Sequence, residues 1–180
     1  MVFSGIFLIS TGILALQILQ TRIFSFTLWH HLAYMVITIA LMGMAASGTW
    51  LSIRKKPYKN PYRFLSFCSL AFSVTTMFSL SIATRIPLDT YMADKTTQFG
   101  YIFLYYMILI LPYFFAGATI SYIFILIRKK INVYYLSNLA GSALGGVAII
   151  PVMEHLGGEG AVFVVIFAGL VASVLFTLVR

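Results

Sequence analysis

Few side chains in this 180-residue chain could do chemistry, and the candidates gather where apolar runs meet. "LQILQTRIFSFTLWHHLAYM" (16–35) holds Gln17, Gln20, Arg22, His30 and His31. Histidines ligate haem or metal, but neighbours on a helix point about 100° apart, so His30 and His31 cannot both be axial ligands of one iron. Pairing one of them with His155 is the remaining haem or metal arrangement, and its spacing matches no ligand pattern. The blander reading has these histidines hydrogen-bonding to Gln17, Gln20 or a neighbouring helix. The acids are Asp89, Asp94, Glu154 and Glu159. None lies in the middle of an apolar run, where ion-coupled carriers usually need one. Asp89 and Asp94 sit beside Arg85 and Lys95 and read as a solvated charge cluster. Paired-carboxylate or Ser/His/Asp catalysis therefore has no visible basis. The expectation is no catalytic residue, no cofactor and no metal. "HLGGEGAVFVVIF" (155–167) superficially resembles a phosphate-binding glycine loop, but an apolar helix precedes it and no acid follows at the required distance. It reads instead as a turn, with Glu159 favoured near the start of a helix.

The elements that must carry these residues are apolar. Residues of the AVILMFWYC set make up 61% of the chain, charged residues 9%, and mean hydropathy is +0.99. A soluble fold of this length needs more polar surface, so the excess must face lipid. One cysteine, Cys68, excludes an internal disulfide and reads as a buried thiol. The first apolar run starts at Val2 without a basic segment before it or a small-residue cleavage site after it, so it reads as a retained helix. Crossing a hydrocarbon core takes about 20 apolar residues in a helix. Six segments qualify: 3–21, 28–53, 63–86, 99–127, 133–153 and 159–179. None alternates with period two, and lipid demands that backbone groups bond within their own segment. The fold class is an all-α integral membrane bundle of six transmembrane helices in a single domain.

The cations orient it. Arg54, Lys55, Lys56, Lys59 and Arg63 fill the second connection, Arg128, Lys129 and Lys130 the fourth, and Arg180 ends the chain. On the opposite side fall Arg22, Arg85 and Lys95 with all four acids. The positive-inside rule places both termini in the cytoplasm and the protein in the cell's inner membrane as a multi-pass chain. Anionic lipid at the cytoplasmic face explains the basic loop 54–63 without nucleic acid. Gln17, Gln20 and Arg22, with His30 and His31, then form an outer-side polar cluster at headgroup depth, beside a belt of Phe24, Phe26 and Trp29.

Helices in lipid meet through small residues. Gly141 and Gly145, with Gly146 one step behind, mark a packing face on the fifth helix, and Gly43 and Gly48 mark one on the second. Ser66, Ser69, Ser73, Thr76 and Ser79 recur at helical spacing on the third. They would either line a hydrophilic path or bond to neighbouring backbone. Pro112 should kink the fourth helix and Gly117 adds freedom beside it.

Two stretches, "LALQILQTRIFSFTLWHHLAYMVITIALMGMAASG" and "YYLSNLAGSALGGVAIIPVMEHLGG", resemble the membrane region of bacterial spermidine synthase-like proteins. Thr21, Arg22, "LPYFFAG" and the spacing of Tyr135, Asn138, Gly141 and Gly145 carry the resemblance, which spans nearly the whole chain. It implies a membrane domain that in relatives is fused to a cytoplasmic aminopropyltransferase-like domain. Gln17 stands where relatives are often acidic, and the chain stops at Arg180, where the soluble domain would begin. The leading expectation is a scaffold or anchoring subunit, partnered by lipid and by other membrane subunits or itself. The alternatives are a small-molecule or polyamine carrier, and the membrane part of an enzyme whose soluble domain lies elsewhere.

Overall fold

The computed structural model describes residues 1–27, 34–54, 58–83, 85, 95–127 and 131–179, without the side chains of 26, 27 and 95–99. His30, His31, Trp29, Lys55, Lys56, Asp89, Asp94, Arg128, Lys129, Lys130 and Arg180 lie outside them. All regular structure among the described residues is helical: α1 (Val2–Thr27), α2 (Met35–Ile53), α3 (Pro61–Ala83), α4 (Lys95–Leu126) and α5 (Ile131–Thr177). These five helices are each long and apolar enough to cross a membrane.

Element ends follow local chemistry. Pro61 opens α3, where its missing N–H costs nothing, and the Asn60 carbonyl accepts the Phe64 N–H at 3.2 Å. α2 ends where Arg54 turns to extended backbone. α1 runs to Thr27, beyond the expected end at residue 21, and α4 starts at Lys95, ahead of the expected 99. The largest difference lies in α5. The expected connection 154–158 is absent as a loop: Glu154 and His155 are helical, and the reversal falls on Gly157 alone (φ 71°, ψ 178°). That backbone conformation is essentially restricted to glycine.

Residues 131–156 and 158–177 form two arms folded back on each other. Near one end of α5, Ser137 Oγ donates to Phe3 O at 2.8 Å; near the other, the Phe176 ring lies 2.5 Å from where a Cβ on Gly5 would sit. Both arms therefore pack on α1, the first parallel and the second antiparallel. α3 lies beside the second arm, α4 beside α3, and α2 beside α4, with narrower contacts of α1 to α4 and α2. Thus α1, the second arm, α3 and α4 surround the interior, which Leu16, Leu19, Leu65, Phe72, Leu109 and Phe176 fill. α2 and the first arm flank this ring and turn large apolar side chains outward, among them Leu41, Ile53, Leu136 and Val147. This connectivity brings the starts of α1 and α3 and the ends of α4 and α5 to one end of the bundle. Arg22, Arg85, Glu154 and Glu159 sit at the other.

Candidate functional site

Gln17, Gln20 and Arg22 are the described members of the polar cluster in 16–35, and tertiary packing splits them. Gln20 is fully buried at the seam between α1 and α4, where Tyr113, also fully buried, donates its hydroxyl to Gln20 Oε1 at 2.6 Å. Gln20 Nε2 has no hydrogen-bond acceptor among the described residues. One turn on, Phe24 and Tyr105 close the same seam edge to face, 5.3 Å between centroids. Gln17 and Arg22 instead face outward. With Thr21, Leu14, Ile18 and Ile37 they line a groove of about 460 Å³ between α1 and α2. Gln20 thus belongs to the bundle interior, where Tyr113 supplies it a donor.

A second groove, about 490 Å³, lies between α1, α3 and the second arm just past Gly157. Ile23, Met77, Leu80 and Phe163 make it apolar, with Glu159 at its edge. His155 is exposed, and among the described residues no three His, Cys, Asp or Glu side chains come together.

The hydroxyl stripe on α3 is a helix-packing face. Ser73 donates to Ile166 O at 2.9 Å in the second arm, and Ser173 donates to Ser66 O at 2.9 Å. Ser66 Oγ lies 2.8 Å from Thr177 Oγ1 and 3.0 Å from Ser173 Oγ. Ser69, Thr76 and Ser79 bond back to their own helix. Of the two readings the sequence left open, bonding to backbone and to facing hydroxyls describes all five.

The glycines act by shape. A Cβ on Gly141 would strike Phe7 O, and one on Gly145 would strike Thr11 O, so α1 and the first arm touch backbone to backbone. Thr11 Oγ1 donates across this contact to Gly141 O at 2.9 Å, and Ser10 to Asn138 Oδ1 at 2.7 Å. Gly146 is only in van der Waals range of Leu14 and Ile18. Between α2 and α4, a Cβ on Gly43 would fall 2.7 Å from Tyr113 Cβ, whereas one on Gly48 would lie 4.0 Å from Ser121. Gly117 serves close approach to Met44 and Ser47, a tighter role than the freedom expected of it. α4 passes through Pro112 as one helix. Gly5, Gly12 and Gly169 also sit at crossings, and the sequence reading did not single them out. Gly169, Ser173 and Thr177 repeat every four residues, the pattern by which that face could have been found.

At the opposite end, the basic loop has internal structure. Arg54 donates to Tyr58 Oη at 2.7 Å and lies over that ring at 3.9 Å, with Trp50 at 5.8 Å. Tyr58 stacks on Phe64 at 3.9 Å, and Tyr122 meets both edge-on. Burial pushes the Tyr58 phenol above its ordinary range, opposed by the lowering effect of Arg54. Lys59 and Arg63 are exposed.

No family model, curated protein or solved structure matches the chain, and nothing in those comparisons links it to spermidine synthase-like proteins.

Proposed function

We propose that the protein crosses the inner membrane six times with both termini in the cytoplasm, and acts there as a scaffold or anchoring subunit of a larger assembly. The two arms of α5 count as separate spans in this reading. The 47-residue element would measure about 70 Å if straight, against a hydrocarbon core of about 30 Å, and it folds back at Gly157. Sidedness rests on the cations: Arg54, Lys59 and Arg63 share an end with the N-terminus, and Glu154 and Glu159 lie at the other.

One observation supports a scaffold over a carrier. The α3 hydroxyls that would have to line a path are engaged, Ser66 and Ser73 with the second arm of α5 and Ser69, Thr76 and Ser79 with their own helix, while α2 and the first arm keep apolar faces outward. Such faces suit lateral association with other membrane helices. The likeness of "LPYFFAG" and the 135–145 pattern to spermidine synthase-like membrane regions fits the same role, since here those residues build helix contacts. Mild-detergent extraction followed by native electrophoresis should carry the chain in a complex well above its 20.1 kDa mass. Migration as a lone monomer from its own membranes would refute the scaffold. Sidedness is separately testable: with Cys68 buried, an impermeant maleimide applied to intact cells should label His155→Cys and spare Lys59→Cys. The reverse pattern would invert the topology.

A further inference from the structure

From the groove between α1 and α2 we infer a binding site for one anionic phospholipid, its phosphate on Arg22 and an acyl chain along Leu14, Ile18 and Ile37. The inference rests on bilayer embedding alone and survives failure of the scaffold reading. The groove follows α1 from Leu14 to Ser25, about 16 Å at 1.5 Å per residue. Its volume, about 460 Å³, falls within the range of roughly 300–1,000 Å³ typical of small-molecule clefts.

The chemistry of the rim selects the head. Thr21 already donates to Gln17 O and Ser25 to Arg22 O, both at 2.8 Å. The other side-chain donors of the described lining are the Arg22 guanidinium and the Gln17 amide. Arg22 is exposed and has no ion pair among the described residues. The Arg22 guanidinium, exposed at the edge of an apolar groove, is placed to meet an anion, and guanidinium and phosphate match as a two-pronged pair. A phosphodiester offers acceptors only, as this rim requires. The described lining has neither a carboxylate nor an aromatic ring to receive a choline or ammonium group, so a head of net negative charge is favoured over a zwitterionic one. The site lies at the end of the bundle remote from the basic loop and is independent of it.

Native mass spectrometry of the full chain in mild detergent tests this, with phosphatidylglycerol titrated against phosphatidylcholine of the same acyl chains. One phosphatidylglycerol per chain should be retained in preference to phosphatidylcholine. Arg22→Gln should lower its retention about tenfold, in line with loss of a charge-assisted bond. Ile37→Trp, which fills the groove from an exposed position on α2, should lower it similarly. Arg85→Gln makes the same charge change at the same end outside the groove and should leave retention unchanged. Equal retention of both lipids, an unaffected Arg22→Gln variant, or a lipid-free dimer with a second copy seated on the groove would each overturn the proposal. A readout independent of any variant is a headgroup-photoreactive phosphatidylglycerol on the wild-type chain. Crosslinks within residues 14–25 or at residue 37 support the site, and crosslinks confined elsewhere overturn it.

Discussion

Removing the Tyr113 hydroxyl should expose how the α1–α4 seam is held. In the wild type, a fully buried amide accepts one hydrogen bond at 2.6 Å and leaves its nitrogen without an acceptor among the described residues. Turning the amide over would only exchange which of its two polar atoms is unmet. Tyr113→Phe strands the remaining one as well. Stranding a buried polar group costs about 1–3 kcal/mol in soluble proteins, whereas bonds between membrane helices average about 0.6 and reach about 1.7 kcal/mol. A loss near 1 kcal/mol is expected. Gln20→Leu leaves the tyrosine hydroxyl without its acceptor but abolishes the orphan nitrogen, so its net cost should be smaller. The double variant removes both side-chain polar groups of this pair at nearly constant volume. It should be close to wild type or more stable, because no buried group is then left unmet. The assay is reversible unfolding in mixed micelles with rising dodecyl sulfate, comparing all four proteins. If the double variant loses as much as the sum of the singles, the two side chains are uncoupled and the seam is held by Phe24 and Tyr105 alone.

Three further outcomes are expected. Gly157→Ala forces a side chain into a backbone region with φ of 71° and should lower unfolding stability by about 1–3 kcal/mol, while Gly158→Ala should cost less; equal effects would mean that the reversal does not depend on that conformation. Gly141→Leu drives a side chain against the Phe7 carbonyl and should cost about 1–3 kcal/mol or more by parting α1 from the first arm, whereas Gly146→Ala, with only van der Waals neighbours, should be tolerated in the same unfolding assay. Because the folded-state pKa of Tyr58 is raised, its contribution to stability is fully present below the ordinary tyrosine pKa of about 10 and fades as pH rises through the raised value. Tyr58→Phe should flatten the alkaline loss of stability, and an unchanged alkaline limb would show that another group causes it.

The sequence by itself determined that this chain is solvated by lipid: its composition leaves no other home for the apolar surface, and its cations gather at alternate connections. It also showed that Gly141 and Gly145 form a contact face and that the third helix carries a hydroxyl stripe. It could not say what those faces touch. In water, hydrophobic periodicity tells which side of a helix is buried; in lipid both sides are apolar, so that signal vanishes and only shape and stray polar groups distinguish them. Gln17 and Gln20 illustrate the limit. They lie three residues apart and look equivalent in sequence, yet one borders an open groove and the other is sealed inside. The difference is made by Tyr113, 93 positions further along the chain, which the fold alone brings within hydrogen-bonding distance of Gln20. The reversal at Gly157 is similar: glycines announced a turn, but only the packing of both arms on α1 made it a single residue wide.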